Sequence, residues 1–173
     1  MKRVALATLL LFAALATTPA LADELFGGIH LHDVKLPTDK AGRESGFDLS
    51  VGYRGGSIVG TPIQPYIFGA WNSAGKTSYA AVGLSAKFGN RIYIRPGIGL
   101  AIHNGSAKDF QDPASSKIAF GSRILFEPEL GIGTNINDRL SIEASWVHMS
   151  HAQLFSRENP GIDNLGVRLN LRL

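Results

Sequence analysis

The sequence predicts an all-β chain, an eight-stranded antiparallel transmembrane β-barrel. Three observations support this fold class. Eight segments alternate apolar with polar or small residues, and most approach the roughly 9–11 residues that a tilted strand needs to cross a bilayer. Their polar faces carry charges of both signs mixed with glycine. Short turns and longer polar links alternate roughly along the chain, as they do in bacterial outer-membrane barrels.

The predicted strands follow one another without an amphipathic helix or an internal repeat between them. The second is typical: Phe47, Leu49 and Val51 share one face, and Asp48 and Ser50 share the other, because side chains alternate along a strand. The eight strands are predicted at residues 24–34, 45–54, 63–73, 77–88, 91–103, 118–135, 139–150 and 163–173.

The polar faces decide between two architectures. A soluble barrel or sandwich turns its apolar face inward, whereas a transmembrane barrel turns it toward lipid and keeps polar or small residues inside. Arginine, glutamate and glycine dominate the polar faces, and they suit an eight-stranded interior that side chains fill completely. A soluble exported β-sandwich is the alternative. The charged members are Asp48, Arg91, Arg95, Arg123, Glu127, Glu129, Glu143, Arg168 and Arg172.

The N-terminus is typical of an export signal. Lys2 and Arg3 precede an apolar run at residues 4–16, and residues 20–22 form a small-x-small cleavage motif. A cleaved signal at 1–22 leaves a barrel domain at 23–173. The alternative, an N-terminal membrane anchor, is disfavoured because a full helical span needs about 20 apolar residues.

Charge and composition exclude several classes of function. Without Lys2 and Arg3 the chain keeps 15 basic residues against 14 acidic ones, which gives no basis for nucleic-acid binding. The absence of cysteine excludes disulfides and Cys-ligated metal. His30 and His32 share a strand face as a metal pair would, but no third ligand is evident, so we expect interior or rim residues and no metal site.

The chemistry-bearing residues lie where the seventh predicted strand ends and the eighth begins. His148 and Ser150 continue the apolar face of one strand, and Asp163 begins the apolar face of the next. With both chain termini in the periplasm, these residues lie at the outer end and point outward. Ser, His and an acid can form an acyl-transfer site, although two polar residues at the membrane interface would give the same pattern.

The run His148-x-Ser150, followed by Asn159-x-Gly161-Ile162 and an acid at 163, resembles the outer-membrane lipid A 3-O-deacylases of the PagL type. The resemblance implies hydrolysis of the ester-linked acyl chain at position 3 of lipid A, without a cofactor. It implies Ser150 as nucleophile, His148 as general base, Asp163 as the orienting acid and Asn159 as an oxyanion donor.

Two departures from that family concern the site. Asp163 stands where the family has glutamate, and His151 stands where it often has asparagine. His151 is therefore a candidate second base or positioning donor, and the backbone N–H groups of residues 152–153 are candidate substitutes in an oxyanion hole. Two alternative functions stay open, a non-enzymatic outer-membrane barrel and an outer-membrane phospholipase. The oligomeric state, monomer or homodimer, also stays open.

Overall fold

The computed structural model describes residues 21–36, 44–58, 60–154 and 160–173. It confirms a closed eight-stranded antiparallel barrel. None of these residues form a helix long and apolar enough to cross a membrane. The strand segments are β1 (Glu24–Leu31), β2 (Phe47–Arg54), β3 (Ile63–Asn72), β4 (Tyr79–Ala86), β5 (Phe88–Gly89), β6 (Ile92–His103), β7 (Ile124–Asn135), β8 (Leu140–Met149) and β9 (Ile162–Arg172).

Neighbouring strands pair in sequence order, and the barrel closes where β1 pairs with β9. The two-residue β5 continues β4, because both pair with β6 in one register. The pairing is interrupted between Ser85↔Gly97 and Phe88↔Ile94, a stretch of β6 that contains Pro96, which has no N–H to donate to the ladder. Closure removes every sheet edge, as the hydrocarbon of a bilayer requires.

The two faces of the wall differ as predicted. Large apolar side chains project outward, and Ile29, Val51 and Ile98 are 58%, 70% and 62% exposed. Arg95 and Arg168 project inward and are buried. Exposure of this much apolar surface is unfavourable in water and favourable in lipid.

The interior is a network of compensated charges. The guanidinium groups of Arg54 and Arg95 lie 3.0 and 2.9 Å from the Glu24 carboxylate. Arg168 donates to Glu129 across 2.6 Å. Because a buried charge is strongly destabilising without a partner, these pairs make a polar lumen compatible with the fold.

Glycines leave room inside for the aromatic members of this network. A Cβ at Gly83 would lie 2.5 Å from the hydroxyl oxygen of Tyr66, and that hydroxyl donates to Glu127. An inward side chain larger than hydrogen at position 83 would therefore displace Tyr66 from its carboxylate.

A buried carboxylate closes the barrel at the end opposite the chain termini. Glu44 accepts hydrogen bonds from His32 Nε2 at 2.8 Å, from the Thr77 N–H and hydroxyl at 2.8 and 2.9 Å, and from the Ile118 N–H at 2.7 Å. His32 also bonds Asp48 at 2.9 Å. We call these five residues the outer clamp, because they tie together the links that follow β1, β3 and β6.

Electrostatics favour the charged state of the outer clamp. Burial alone would lower the pKa of His32, but its bonds to Asp48 and Glu44 outweigh that effect and raise the pKa to about 9. Burial alone would raise the pKa of Glu44, yet the bonds from His32, Ile118 and Thr77 outweigh it and lower the pKa. The clamp is thus an ionic junction at neutral pH.

Two predicted strand bounds are wrong by more than two residues. The sixth predicted strand began at residue 118, whereas β7 begins at Ile124. Ile118 and Phe120 are buried at the mouth of the barrel, and the Phe120 ring lies 4.5 Å from that of His103. Their alternation therefore comes from capping the lumen. The first predicted strand also ends earlier, at Leu31, because His32 joins the outer clamp.

Candidate active site

The site begins with a cross-strand pair at the outer end of the barrel. His148 of β8 lies directly opposite Asp163 of β9. Both belong to the outward, apolar-patterned faces of their strands, as the alternation predicted. Opposite residues in an antiparallel pair have Cβ atoms about 4.5–5.5 Å apart, so an imidazole and a carboxylate at these positions can meet.

The two side chains are joined by a hydrogen bond. His148 Nδ1 lies 3.0 Å from Asp163 Oδ1. The Asp163 side chain is 4% exposed and that of His148 is 24% exposed. A carboxylate bonded to Nδ1 holds the imidazole with Nε2 free to take a proton. The geometry is that of a general base with its orienting acid.

Trp146 completes the surroundings of the acid. Its indole Nε1 donates to Asp163 Oδ1 across 2.7 Å, and its ring stacks on His148 with centroids 5.9 Å apart and planes 26° apart. Trp146 lies two residues before His148 on β8, so both point outward. The sequence suggested only an interfacial aromatic here, because the diagonal reach to Asp163 depends on strand register.

Ser150 follows His148 on the same face. It extends the β7–β8 ladder through Phe126, with the Phe126 N–H donating to the Ser150 carbonyl at 2.7 Å and the Ser150 N–H to the Phe126 carbonyl at 3.1 Å. Same-face neighbours lie about 6.5 Å apart at Cα. Over the described ranges the Ser150 hydroxyl makes no hydrogen bond to His148. Ser150 is half-buried.

Gly161 gives the imidazole its space. A Cβ at position 161 would lie 2.6 Å from His148 Cε1 and 3.2 Å from Nε2. Real Cβ atoms do not approach a ring this closely, so only glycine fits without moving the base. The sequence motif contained this glycine, but its function becomes visible only when β9 is placed beside β8.

The chain turns sharply after the serine. His151 is completely buried, and its carbonyl accepts a hydrogen bond from the Leu154 N–H at 3.0 Å. Ala152 and Gln153 both adopt the left-handed conformation, with φ of 52° and 59°. Non-glycine residues in that region store strain of roughly 1–2 kcal/mol each, and such strain concentrates at functional sites. Asn159 lies outside the described residues.

The backbone of the acid is fixed from the inside of the barrel. The Val34 N–H donates to the Asp163 carbonyl at 2.7 Å. The next residue, Asn164, points inward, donates to Asp48 at 3.0 Å and accepts from the Asp33 N–H at 3.0 Å. Asp48 is a member of the outer clamp, so the clamp and the acid share one buried scaffold.

The structure thus brings together His148 and Asp163, and adds Trp146 and Gly161. His30 lies in the lumen and His32 belongs to the outer clamp. Throughout the described ranges no group of three or more His, Asp or Glu residues is placed to hold a metal ion. The candidate site consists of side chains on the outer surface of the wall, where His148 and Asp163 are paired.

A family model for the lipid A 3-O-deacylase PagL matches residues 41–172. No curated protein matches the chain.

Solved structures share the fold, among them the following three. One is described as the outer membrane enzyme PagL. It has a TM-score of 0.59 and 18% identity, and the match covers 87% of this chain and 99% of that one. Neisserial surface protein A has a TM-score of 0.57 and 11% identity, covering 90% and 100%. The de novo designed protein TMB2.3 has a TM-score of 0.53 and 9% identity, covering 91% and 98%. At these identities the structural likeness establishes the barrel.

Proposed function

Since the chain belongs to the PagL family of lipid A 3-O-deacylases, we propose that it is a serine esterase that hydrolyses the ester-linked acyl chain at position 3 of lipid A. The chain lies in the outer membrane of Gram-negative cells. The observation that carries the proposal is the 3.0 Å bond between His148 Nδ1 and Asp163 Oδ1 on the lipid-facing wall. It supplies a base beside Ser150 where an acyl ester in the outer leaflet can reach it.

In the proposed reaction the Ser150 hydroxyl oxygen attacks the ester carbonyl carbon, and His148 Nε2 takes the hydroxyl proton. Asp163 holds the imidazole and stabilises the imidazolium that forms. The tetrahedral intermediate collapses when the C–O bond to the sugar breaks, and His148 returns the proton to the leaving sugar oxygen. Water then attacks the acyl-serine with His148 again as base, which releases the fatty acid and restores Ser150.

The oxyanion needs donors that face the developing charge. We assign this role to the backbone N–H groups of residues 152 and 153, together with Asn159. The turn at Ala152 and Gln153 supports the assignment, because both residues are exposed, adopt the left-handed conformation and lie two and three residues after Ser150. His151 is completely buried and immediately precedes this turn, so we assign it to supporting the turn.

The orientation of the site fits a substrate that reaches it by lateral diffusion in the membrane. His148, Ser150 and Asp163 are on the outer surface of the wall, and the strand faces below them are apolar. Acyl chains can lie against Ala144 and Val167 while the ester stays at the interface. Such a site needs no channel through the filled lumen, no cofactor and no metal. A homodimer, which the sequence left open, has no support in the comparisons.

We also assign residues 1–22 to a cleaved export signal and 23–173 to the barrel. Most of that signal lies outside the described residues.

The test is the mass spectrum of lipid A from lipopolysaccharide-producing cells that lack this activity. Expression of the wild-type chain should remove one hydroxyacyl group, and S150A and H148A should leave lipid A intact while still folding. S145A is the matched control, because Ser145 lies on β8 but is buried and faces inward. Normal 3-O-deacylation by S150A refutes the assignment.

Purified protein should be assayed in parallel on phospholipid. Release of fatty acid from phospholipid alone would identify a phospholipase with the same residues. Unchanged lipid A and phospholipid on expression of a folded wild-type barrel would identify a non-enzymatic barrel.

A further inference from the structure

The acid of the candidate site has a second hydrogen-bond donor that no catalytic role explains. Asp163 Oδ1 accepts from Trp146 Nε1 at 2.7 Å and from His148 Nδ1 at 3.0 Å. Both donors reach the same oxygen atom. The indole contact is the shorter of the two, so the position of the carboxylate is set by the tryptophan as much as by the histidine.

The surroundings explain why the acid needs that donor. Asp163 starts the lipid-facing stripe of β9, and its next neighbours on that stripe are Leu165 and Val167. A carboxylate on such a wall is unfavourable without donors. The Asp163 side chain is only 4% exposed, and Trp146 and His148 both bond its Oδ1.

The same indole also fixes the plane of the base. Trp146 and His148 stack at 26° between planes, and Gly161 is the neighbour whose missing side chain admits the imidazole at Cε1. The imidazole is therefore held between the Trp146 ring, the Gly161 backbone and the Asp163 carboxylate. Rotation away from Ser150 would break the stack and the bond to Asp163 together.

We propose that Trp146 is a positioning residue for the hydrolytic reaction: its indole N–H holds the Asp163 carboxylate on the lipid-facing wall, and through it the His148 tautomer that accepts the Ser150 proton. Trp146 has this role in catalysis only if Ser150 and His148 act as proposed above. The hydrogen bond itself can be tested without any activity.

Two variants separate the hydrogen bond from the stack. W146F removes the N–H and keeps an aromatic ring. Replacement of Trp146 by 3-benzothienylalanine keeps the size and shape of indole but puts sulfur in place of N–H. W71F is the matched control, because Trp71 also faces outward, is 58% exposed and makes no indole hydrogen bond over the described ranges.

We expect both Trp146 variants to lower kcat by about tenfold or more, the effect of a lost hydrogen bond to a charged group, with KM for lipopolysaccharide nearly unchanged. W71F should keep wild-type kcat. Wild-type kcat in the benzothienyl variant would overturn the proposal, because it would show that the ring alone suffices. An equal loss in W71F would overturn it too, by showing a general effect of outward tryptophans.

Nitrogen NMR of the His148 ring provides the readout that is independent of activity. In the wild type the ring should be a single tautomer protonated at Nδ1. In both Trp146 variants it should become a mixture of tautomers. An unchanged single tautomer in both variants overturns the positioning role even if the wild-type protein proves to hydrolyse nothing. Absence of hydrolysis with the expected NMR change contradicts only the proposed function.

Discussion

Gly161 and His148 are in contact across the β8–β9 junction, and the glycine is the only residue type that leaves the imidazole in place. A Cβ at 161 would be 2.6 Å from His148 Cε1 and 3.3 Å from the Met149 carbonyl oxygen. We therefore expect G161A to displace the ring toward solvent and to lower kcat by about 100-fold, the cost of a misplaced reacting group. The measurement is the rate of lipopolysaccharide deacylation by the purified protein.

G69A is the control for G161A. Gly69 lies on β3, and a Cβ there would have only an ordinary contact, 3.9 Å from the Tyr79 carbonyl oxygen. Equal activity of the two variants would contradict the contact between Gly161 and the base.

Asp163 should contribute charge as well as position. In D163N one amide orientation keeps an oxygen at the position that Trp146 and His148 share, whereas the other places an NH2 donor there, which loses the Trp146 bond and favours the wrong His148 tautomer. By analogy with serine hydrolases we expect kcat to fall by about 10⁴-fold. D163E keeps the charge with one more methylene and should be more active than D163N. Comparable activities of D163N and wild type would remove the acid from the mechanism.

The outer clamp should be essential to the stability of the outer end. Each Glu44 oxygen accepts two hydrogen bonds, and E44Q replaces one of those oxygens by a donor. Two buried donors then lose their acceptor, at a cost of about 1–3 kcal/mol each. Urea unfolding in detergent should show a lower midpoint for E44Q. D138N is a suitable control, because Asp138 lies on an exposed turn. E129Q is not suitable, because it breaks an ion pair.

The pH dependence of stability should report the titration of His32. Its pKa is raised to about 9 from an ordinary value of 6.5, so the stability contributed by its protonated form is complete below 6.5 and is lost as pH rises through 9. The unfolding midpoint of the wild type should fall between pH 7 and pH 10. H32Q should start lower and change less over that window. A fall of equal size in H32Q would mean that another group is responsible.

Acid should weaken the clamp through Glu44. The pKa of the Glu44 carboxyl is lowered from its ordinary value of 4.5. The contribution of Glu44 to the free energy of unfolding is therefore complete above pH 4.5 and is lost as the pH falls through the lowered pKa.

The sequence was sufficient to predict the barrel and the strand face on which the candidate site lies. Alternation alone places His148, Ser150 and Asp163 on outward stripes, because a period of two leaves one choice of face once the lumen is identified. Alternation could not predict where β7 begins, because Ile118 and Phe120 alternate like strand residues although they cap the mouth of the barrel. It could not identify Trp146 as a donor either, because that contact is a diagonal one that depends on the β8–β9 register.

Glu44 was missed for a related reason. It lies in a link that composition describes only as polar, and its role depends on three links converging above the lumen. That convergence is a property of the closed barrel. No local signal in the sequence distinguishes such a carboxylate from a solvated one.

The central claim is that Ser150 is a nucleophile activated by His148 on the outer face of the wall. The most direct measurement is labelling of the folded protein in lipid vesicles with a serine-reactive fluorophosphonate, followed by mass spectrometry of the labelled peptide. We predict a single adduct on Ser150, strongly reduced in H148A and absent in S150A. Labelling of H148A at the wild-type rate, or an adduct at another serine, would contradict it.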